Sequence, residues 1–504
     1  MASLKDIAKT GRRAATHRPW PRAVVDAEGW KHATELLVEA RATLLGLWGD
    51  QGAVHLALVE EPTAEIGVIT LECPDGKFPS VAGLHPPANR LERALASLYG
   101  MKPVGAADSR AWLDLGFWGV KHPLGEAKKS RVAPAPYEFL PVEGEAMHQI
   151  PVGPVHAGII EPGHFRFTAN GEAVARLEQR LGYVHKGIES LMAGASIEQG
   201  AQLAGRTSGD STVAYALAFA QAVEAALRVT VPQRAIWLRA LMAELERMAN
   251  HFGDFGAICN DASFSLMYAE CGILRERTLR AANACFGHRL MMDRIVPGGV
   301  AEDLRPEGEA ALRELLTTVR ARFPELVRLY DNTATLQDRT VTTGYLAPTL
   351  ARAFGAGGYV GRASGRAFDA RKAIAYPPYD QLEFEVPVRD DGDVNARVWI
   401  RIREVEQSVR LIEQILDRLP GGKVRTELPA AGEMREGMAL TEAFRGDTLV
   451  YIRLDAKGAI ERCHLRDASW FQWPLLEAAI EGNIVADFPL CNKSFNCSYS
   501  GHDL

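Results

Sequence analysis

Residues 234–256 read RAIWLRALMAELERMANHFGDFG, with apolar side chains at Leu238, Leu241, Met242, Leu245, Met248, Ala249 and Phe252. Steps of three and four residues place these on one face of an α-helix, with Arg239, Glu246 and Arg247 expected off the buried stripe. Helical periodicity recurs over 268–286 and 307–330, and again in RVWIRIREVEQSVRLIEQILDRL (397–419), which stops at Pro420-Gly421-Gly422. Breakers lie at VPGGV (296–300) and GAGGYVGRASG (355–365). On the N-terminal side of this helical region, the strand-like FRF and a second apolar run flank Asn170-Gly171, a β-hairpin signal. On the C-terminal side, DTLVYIRLD and AIERCHLR flank a turn at Lys457-Gly458. The expected fold over 151–504 is therefore mainly helical with peripheral β-hairpins.

The first 126 residues read differently. A helix-like EGWKHATELLVEARA precedes three strand-length runs, TLLGLWG, AVHLALVEE and IGVITLEC. Then comes FPSVAGLHPPANRLERALASLYG, an extended run followed by an amphipathic helix. Asn89 is its expected N-cap and Glu92 would complete a capping box. Residues 127–150 carry three prolines and no clear period, and read as a linker. The fold class is α+β: a small α+β domain (1–126), a linker (127–150) and a large, mainly helical domain (151–504).

Composition excludes several functions. A chain of 504 residues with 47% hydrophobic and 24% charged residues is built like a soluble globular protein of two or more domains. The net charge of −6, without a dense basic run, argues against nucleic acid as a partner. The N-terminal MASLKDIAKTGRRAATHRPW has no apolar core, so it does not read as a secretory signal, and Val213 to Val223 is too short to span a bilayer. Seven cysteines, an odd number with no C-x-x-C pair, argue against a disulfide framework and against a zinc or iron–sulfur site built by this chain alone.

Two family resemblances are carried by motifs. FPSVAGLHPPANRLERALASLYGM, closed by KHPLGE (121–126), resembles the 30-kDa-type subunit of respiratory complex I, with Arg90 in place of a usual tryptophan and Gly125 in place of an arginine. Further on, GPVHAGIIEPGHFRF (153–167), LGYVHKGIE (181–189), ELERMANHFGDFG (244–256), IVPGGV (295–300), LQDRTVTTG (336–344), GRASGRAFDARK (361–372), EAFRGDTLVYIRLD (442–455) and DASWFQWPLLEAAIEGNIVADFPL (467–490) occur in order. This series resembles the large subunit of energy-converting, membrane-bound [NiFe] hydrogenases, including the formate hydrogenlyase type, and the related 49-kDa-type subunit of complex I.

The resemblance implies a metal site whose ligands are not here. Four thiolates would hold nickel and iron, two early in the domain and two at its end. Registering on VAYAL (213–217) puts Ala204 and Thr207 at the early positions and Ser211 where a histidine is usual. No cysteine lies between Cys73 and Cys259. Registering on VADFPL puts Ser498 and Gly501 at the late positions, with Cys497 one residue early. The complex I version of the cavity, which receives a quinone, uses a tyrosine where Gly205 stands. What the resemblance leaves is a polar cavity. Glu161 and His164 are candidates for a proton relay, His156 for a contact to an acceptor, and Arg445 for a cavity arginine paired with Glu442 or Asp503 or meeting an anionic substrate. Against the relay stands the plainer role for His164 and Arg166 of satisfying backbone groups. Cys497 is either a reactive thiol or an inert buried one.

By the same resemblance, the chain itself binds no cofactor, a 4Fe–4S cluster resides in a partner small subunit, and membrane-arm subunits are further partners. The expected place is peripheral, on the cytoplasmic side of the cell membrane. The expected role is in an electron-transfer module reducing a quinone or another acceptor, coupled to ion translocation; the alternative is a non-catalytic scaffold or conformational coupler. The tail DFPLCNKSFNCSYSGHDL (487–504) would wall the cavity. Its end three residues past Gly501 implies that the maturation cleavage of the hydrogenases is not needed.

Overall fold

The computed structural model describes residues 3–130, 133–157 and 160–504. Arg131 and Val132 of the expected linker, and Gly158 and Ile159 of the loop 156–164, lie outside the described residues.

The N-terminal strands form a five-stranded sheet in the order Arg12–Arg13, Arg22–Val25, Glu65–Glu72, Ala53–Glu60, Thr43–Asp50. Strand side chains alternate between faces, and here both faces are buried. Val54, Leu56, Leu58, Ile69 and Leu71 pack towards the helices Ala27–Val38 and Asn89–Tyr99. Ala57, Val59, Ile66, Val68 and Trp48 face the other way, onto Met438, Leu440, Leu449 and Tyr451. Those residues belong to a second sheet, Ile460–Arg466, Gly446–Leu454, Arg435–Ala443, with His17–Arg18 added at its edge. Burying each large apolar side chain in this double layer contributes about 1.5–3 kcal/mol.

This second sheet corrects the expectation of a peripheral hairpin over 447–466. It is an internal layer of three strands, pressed on its far side by the helix Thr212–Leu227. That helix is the Ala-rich segment, and its small residues let it approach closely. A Cβ on Gly437 of the sheet would lie 1.9 Å from the Ala222 carbonyl oxygen. Polar ties join the two sheets: Arg22 donates to Glu436 at 2.8 Å, Arg453 pairs with Asp50, and Arg466 donates to the Leu45 carbonyl at 2.6 Å.

The helical layer is built on Gln233–Asp261, which packs against Ser265–Phe286 and Val394–Arg418, with Gly308–Asn332 beyond. The apolar stripe is buried as expected, but Arg239, Glu246 and Arg247 are buried too. Each is matched by a partner. Arg239 donates to Glu224 at 2.6 and 3.0 Å, Glu246 accepts from the free N–H groups of Val213 and Ala214 at the start of the Ala-rich helix, and Arg247 donates to the carbonyls of Glu442 and Ala443.

Two further expectations change. Glu92 does not close a capping box with Asn89, because the helix begins at Asn89 itself. The Glu92 carboxylate instead accepts from Val81 N–H at 2.6 Å, Ala82 N–H and Ser80 Oγ, pinning the preceding loop. The strand Met147–Val152 starts inside the expected linker and pairs with His164–Asn170, which in turn pairs with Ala173–Arg180 around the Asn170-Gly171 turn. No helix is long and apolar enough to cross a membrane among the described residues.

Candidate functional site

The tail is folded in. Phe488–Phe495 and Tyr499–Asp503 are helices, and Ser498, Ser500, Gly501, His502, Asp503 and Leu504 are buried. His502 stacks on Trp470 at 4.1 Å and pairs with Asp503 at 2.8 Å, while Asp503 Oδ2 accepts from Val184 N–H. The Lys186 and Gly187 N–H groups both donate to the Leu504 carbonyl.

This tail forms one wall of a cavity of about 420 Å³. The opposite wall comes from Val152, His156, Ile160, Glu161 and Phe165, and the floor from Ser208, Gly209, Asp210 and Arg445. The surface is apolar towards Phe165, Phe488 and Pro489 and polar at the floor. A concave apolar site with a few convergent polar groups is how small-molecule sites are generally built.

Of the expected site residues, Glu161, His156 and Arg445 line the cavity and His164 does not. Glu161 Oε2 accepts the Ser500 N–H at 3.0 Å, tying the loop to the tail. His156 Nε2 bonds the Gly163 carbonyl at 2.8 Å, so that nitrogen carries the proton and Nδ1 is the open acceptor. His164 begins a strand and points to the other side of it, into an open cleft with Phe139, Arg166 and Tyr183. There it accepts from Arg166 Nε at 3.3 Å, and burial together with the Arg166 charge lowers its pKa. The expected relay pair of Glu161 and His164 is therefore not brought together: Phe165 faces the cavity, and its neighbour along the strand cannot.

Arg445 is almost fully buried and pairs with neither Glu442 nor Asp503. It donates to both carboxylate oxygens of Asp210, at 2.5 and 2.8 Å, to Ser211 Oγ at 3.2 Å and to the Asn496 carbonyl. The Arg445 charge holds Asp210 down, to a pKa of about 2, against its burial. Asp210 was not singled out in the sequence. A buried guanidinium requires partners, but nothing in the residue spacing says that a carboxylate 235 positions away will supply them. Glu442 is held by Arg362 instead.

Of the four positions that the resemblance gives to thiolate ligands, Ser498 lines the cavity and is bonded to Gly501. Ala204 and Thr207 are fully buried at the end of the helix Ile197–Ala204 and in the turn after it. Thr207 Oγ1 has no hydrogen-bond partner among the described residues. The next residue, Ser208, shares a hydrogen bond of 2.9 Å with Ser498, whose Oγ also accepts the Gly501 N–H at 2.9 Å. A Cβ at Gly501 would lie 2.8 Å from Asp467 Oδ2 and 2.9 Å from Ser498 Oγ. Gly205 donates nothing to the cavity; its carbonyl accepts from Thr212 Oγ1. Cys497 lines the cavity with its Sγ 4.0 Å from Gln472 Oε1, and burial pushes its thiol far above the usual range. Cys491 lies behind it, its thiol pushed up to about 11 by burial. Both are protonated, weak nucleophiles at neutral pH.

Residues 262–437 match the family model described as respiratory-chain NADH dehydrogenase, 49 Kd subunit. Formate hydrogenlyase subunit 5 of Escherichia coli (strain K12) is 32% identical over 440 residues, covering 85% of this chain and 77% of the relative. The carbon monoxide-induced hydrogenase of Rhodospirillum rubrum is 31% identical over 69% of this chain and 97% of its own length. The D-type subunit of NADH-quinone oxidoreductase from Syntrophobacter fumaroxidans (strain DSM 10017 / MPOB) is 32% identical over 70% of this chain and 95% of its own. The chain belongs to the family that joins the large subunits of hydrogenases of the formate hydrogenlyase type to the 49-kDa-type subunits of NADH-quinone oxidoreductase.

Proposed function

We propose that this chain is a peripheral subunit of a hydrogenase-related, complex I-like membrane complex in which a quinone headgroup, rather than a nickel–iron centre, occupies the cavity. The observation carrying this reading is the donor set. Methyl, hydroxyl, hydroxyl and hydrogen stand at Ala204, Thr207, Ser498 and Gly501, and a side chain at Gly501 would collide with Asp467. The thiol nearest these positions, Cys497, is held protonated by burial. Soft thiolate ligation does not fit such walls.

The same walls suit a flat, apolar ring bearing two oxygens. Phe165, Phe488 and Pro489 offer apolar contact, and the open Nδ1 of His156 can accept from a hydroxyl of the reduced ring. In this reading a 4Fe–4S cluster held by a partner small subunit would be the source of electrons. Glu161, on the cavity wall, would hand protons taken up from solvent to the two ring oxygens in turn, giving the quinol. Membrane-arm subunits are the other partners, and the complex faces the cytoplasm.

The test is quinone reduction by the purified complex. Turnover that falls at least tenfold in Glu161→Gln, with KM little changed, supports the reading. No reduction of any quinone, with no small molecule found beside Glu161 and Ser498, leaves the scaffold role. That second role is favoured by the floor itself, where Arg445, Asp210, Ser208 and Ser498 already satisfy one another.

A further inference from the structure

Behind the cavity floor, eight ionisable side chains form one continuous ion-paired cluster, and all eight are buried. Arg362 donates to Glu404 at 2.6 and 2.9 Å and to Glu442 at 2.9 Å, and lies 3.5 Å from Asp369. Arg371 grips Asp369 with two bonds and reaches Glu244 at 2.9 Å. Arg247 lies 3.4 Å from Glu244 and 3.9 Å from Glu404, and His251 bonds Glu404 at 2.7 Å.

The charges do not balance. Glu244, Asp369, Glu404 and Glu442 bring four carboxylates against the three guanidiniums of Arg247, Arg362 and Arg371. A fully buried excess charge is costly, so such a cluster takes up a proton. His251 is a poor place for it. One ring nitrogen already bonds Glu404, and the other, Nδ1, is buried without a partner, so a second N–H there would be unsatisfied. Among the acids, Glu244 accepts from Arg371, Tyr379 and Ser408. Asp369 holds the two Arg371 bonds, and Glu404 accepts from Arg362 and His251. Among the described residues, Glu442 accepts from a shared Arg362 and the Ala370 N–H alone.

We infer that this cluster is a buried binding site for one exchangeable proton, carried on the Glu442 carboxyl. Burial and the neighbouring Asp369 charge push Glu442 up to about 7, consistent with the count. The other groups facing it are accounted for. Asp447 pairs with Arg466, Tyr376 accepts the Glu442 N–H through its hydroxyl, and the terminal nitrogens of Arg247 donate to the Glu442 and Ala443 carbonyls. One and two turns further along the helix that carries Glu404, Arg401 pairs with Asp254, which also meets Lys493, and Arg397 is satisfied by Ser494 and the Gly344 and Gly392 carbonyls. Glu442 ends the strand Arg435–Ala443, and the turn after it carries Arg445 to the cavity floor. The store therefore sits directly behind the site.

The experiment is infrared difference spectroscopy of the purified full-length chain across neutral pH, in H2O and D2O. The expected result is a carbonyl band of a protonated carboxylic acid that titrates near pH 7 and is absent from Glu442→Gln, an isosteric mimic of the protonated form. Subtracting the variant removes the signal of Glu246, a second buried acid pushed up to about 8 by its burial. Asp369→Asn balances the cluster without a proton and should weaken proton binding at Glu442 tenfold or more. A wild-type-minus-Glu442→Gln spectrum without a protonated carboxylic acid band, or a midpoint unmoved by Asp369→Asn, would each overturn the inference.

Discussion

Replacing Arg362 by leucine removes the hub of the buried cluster. The guanidinium is fully buried and bonds Glu404 and Glu442, with Asp369 beside it. Removing one partner of a buried pair costs about 3–5 kcal/mol, because the charge left behind stays unmatched in a dry interior. Here three carboxylates lose a cation together, so the upper end of that range is expected. Part of the cost is recovered by proton uptake, which makes the deficit depend on pH. With Arg362 gone, the folded pKa of Glu442 rises further above its unfolded value, and that of Glu404, held well below the usual carboxylate range in the intact cluster, rises with it. A carboxyl raised in this way stabilises the folded state below the unfolded value, and that contribution fades as pH climbs through the folded one. The variant should therefore be less impaired near pH 5 than near pH 7.5, by about 1.4 kcal/mol for each unit of extra shift. Denaturant unfolding of both proteins at several pH values measures this directly. A loss below about 1 kcal/mol at neutral pH, or one that does not change with pH, would refute the account of the cluster as a single electrostatic unit.

Two other perturbations separate packing from charge. Gly437→Ala drives a methyl to 1.9 Å from the Ala222 carbonyl and should destabilise by about 1–3 kcal/mol or more, whereas Gly272→Ala, in a helix with open space around it, should stabilise by up to about 1 kcal/mol; unfolding midpoints read both. His17 is buried, with one nitrogen on the Trp20 carbonyl and the other unpartnered, and burial lowers its pKa from 6.5 to about 4. A base depressed in the fold stabilises above its unfolded pKa and loses that contribution as pH falls towards the folded value, so about 3 kcal/mol should disappear between pH 6.5 and 4. His17→Gln should flatten that part of the acid limb, and an unchanged limb would show that His17 does not titrate there.

The motif series and the helical periods were legible because they are local. The stripe at Leu238, Leu241 and Leu245, the Asn170-Gly171 hairpin and the three strands of 43–72 all follow from spacing alone. The site was legible in part. Glu161, His156, Arg445 and Ser498 all line one cavity. His164 was misplaced because a loop precedes it, and the phase of a two-residue repeat cannot be read until the strand's first residue is known. Asp210 was missed because its partner is distant in sequence. Arg239, Glu246 and Arg247 look like a solvated face, and only the folded structure supplies the carboxylates, N–H groups and carbonyls that let them be buried. The strands of 447–466 look peripheral for a related reason. Their second buried face is created by a sheet from the other end of the chain.

Whether the cavity of this hydrogenase-family chain holds a nickel–iron centre is tested most directly by elemental analysis of the purified complex, referred to the amount of this chain. Vacated thiolate positions predict nickel at background level. One nickel per chain, retained through purification, would contradict the reading of the cavity as free of that centre.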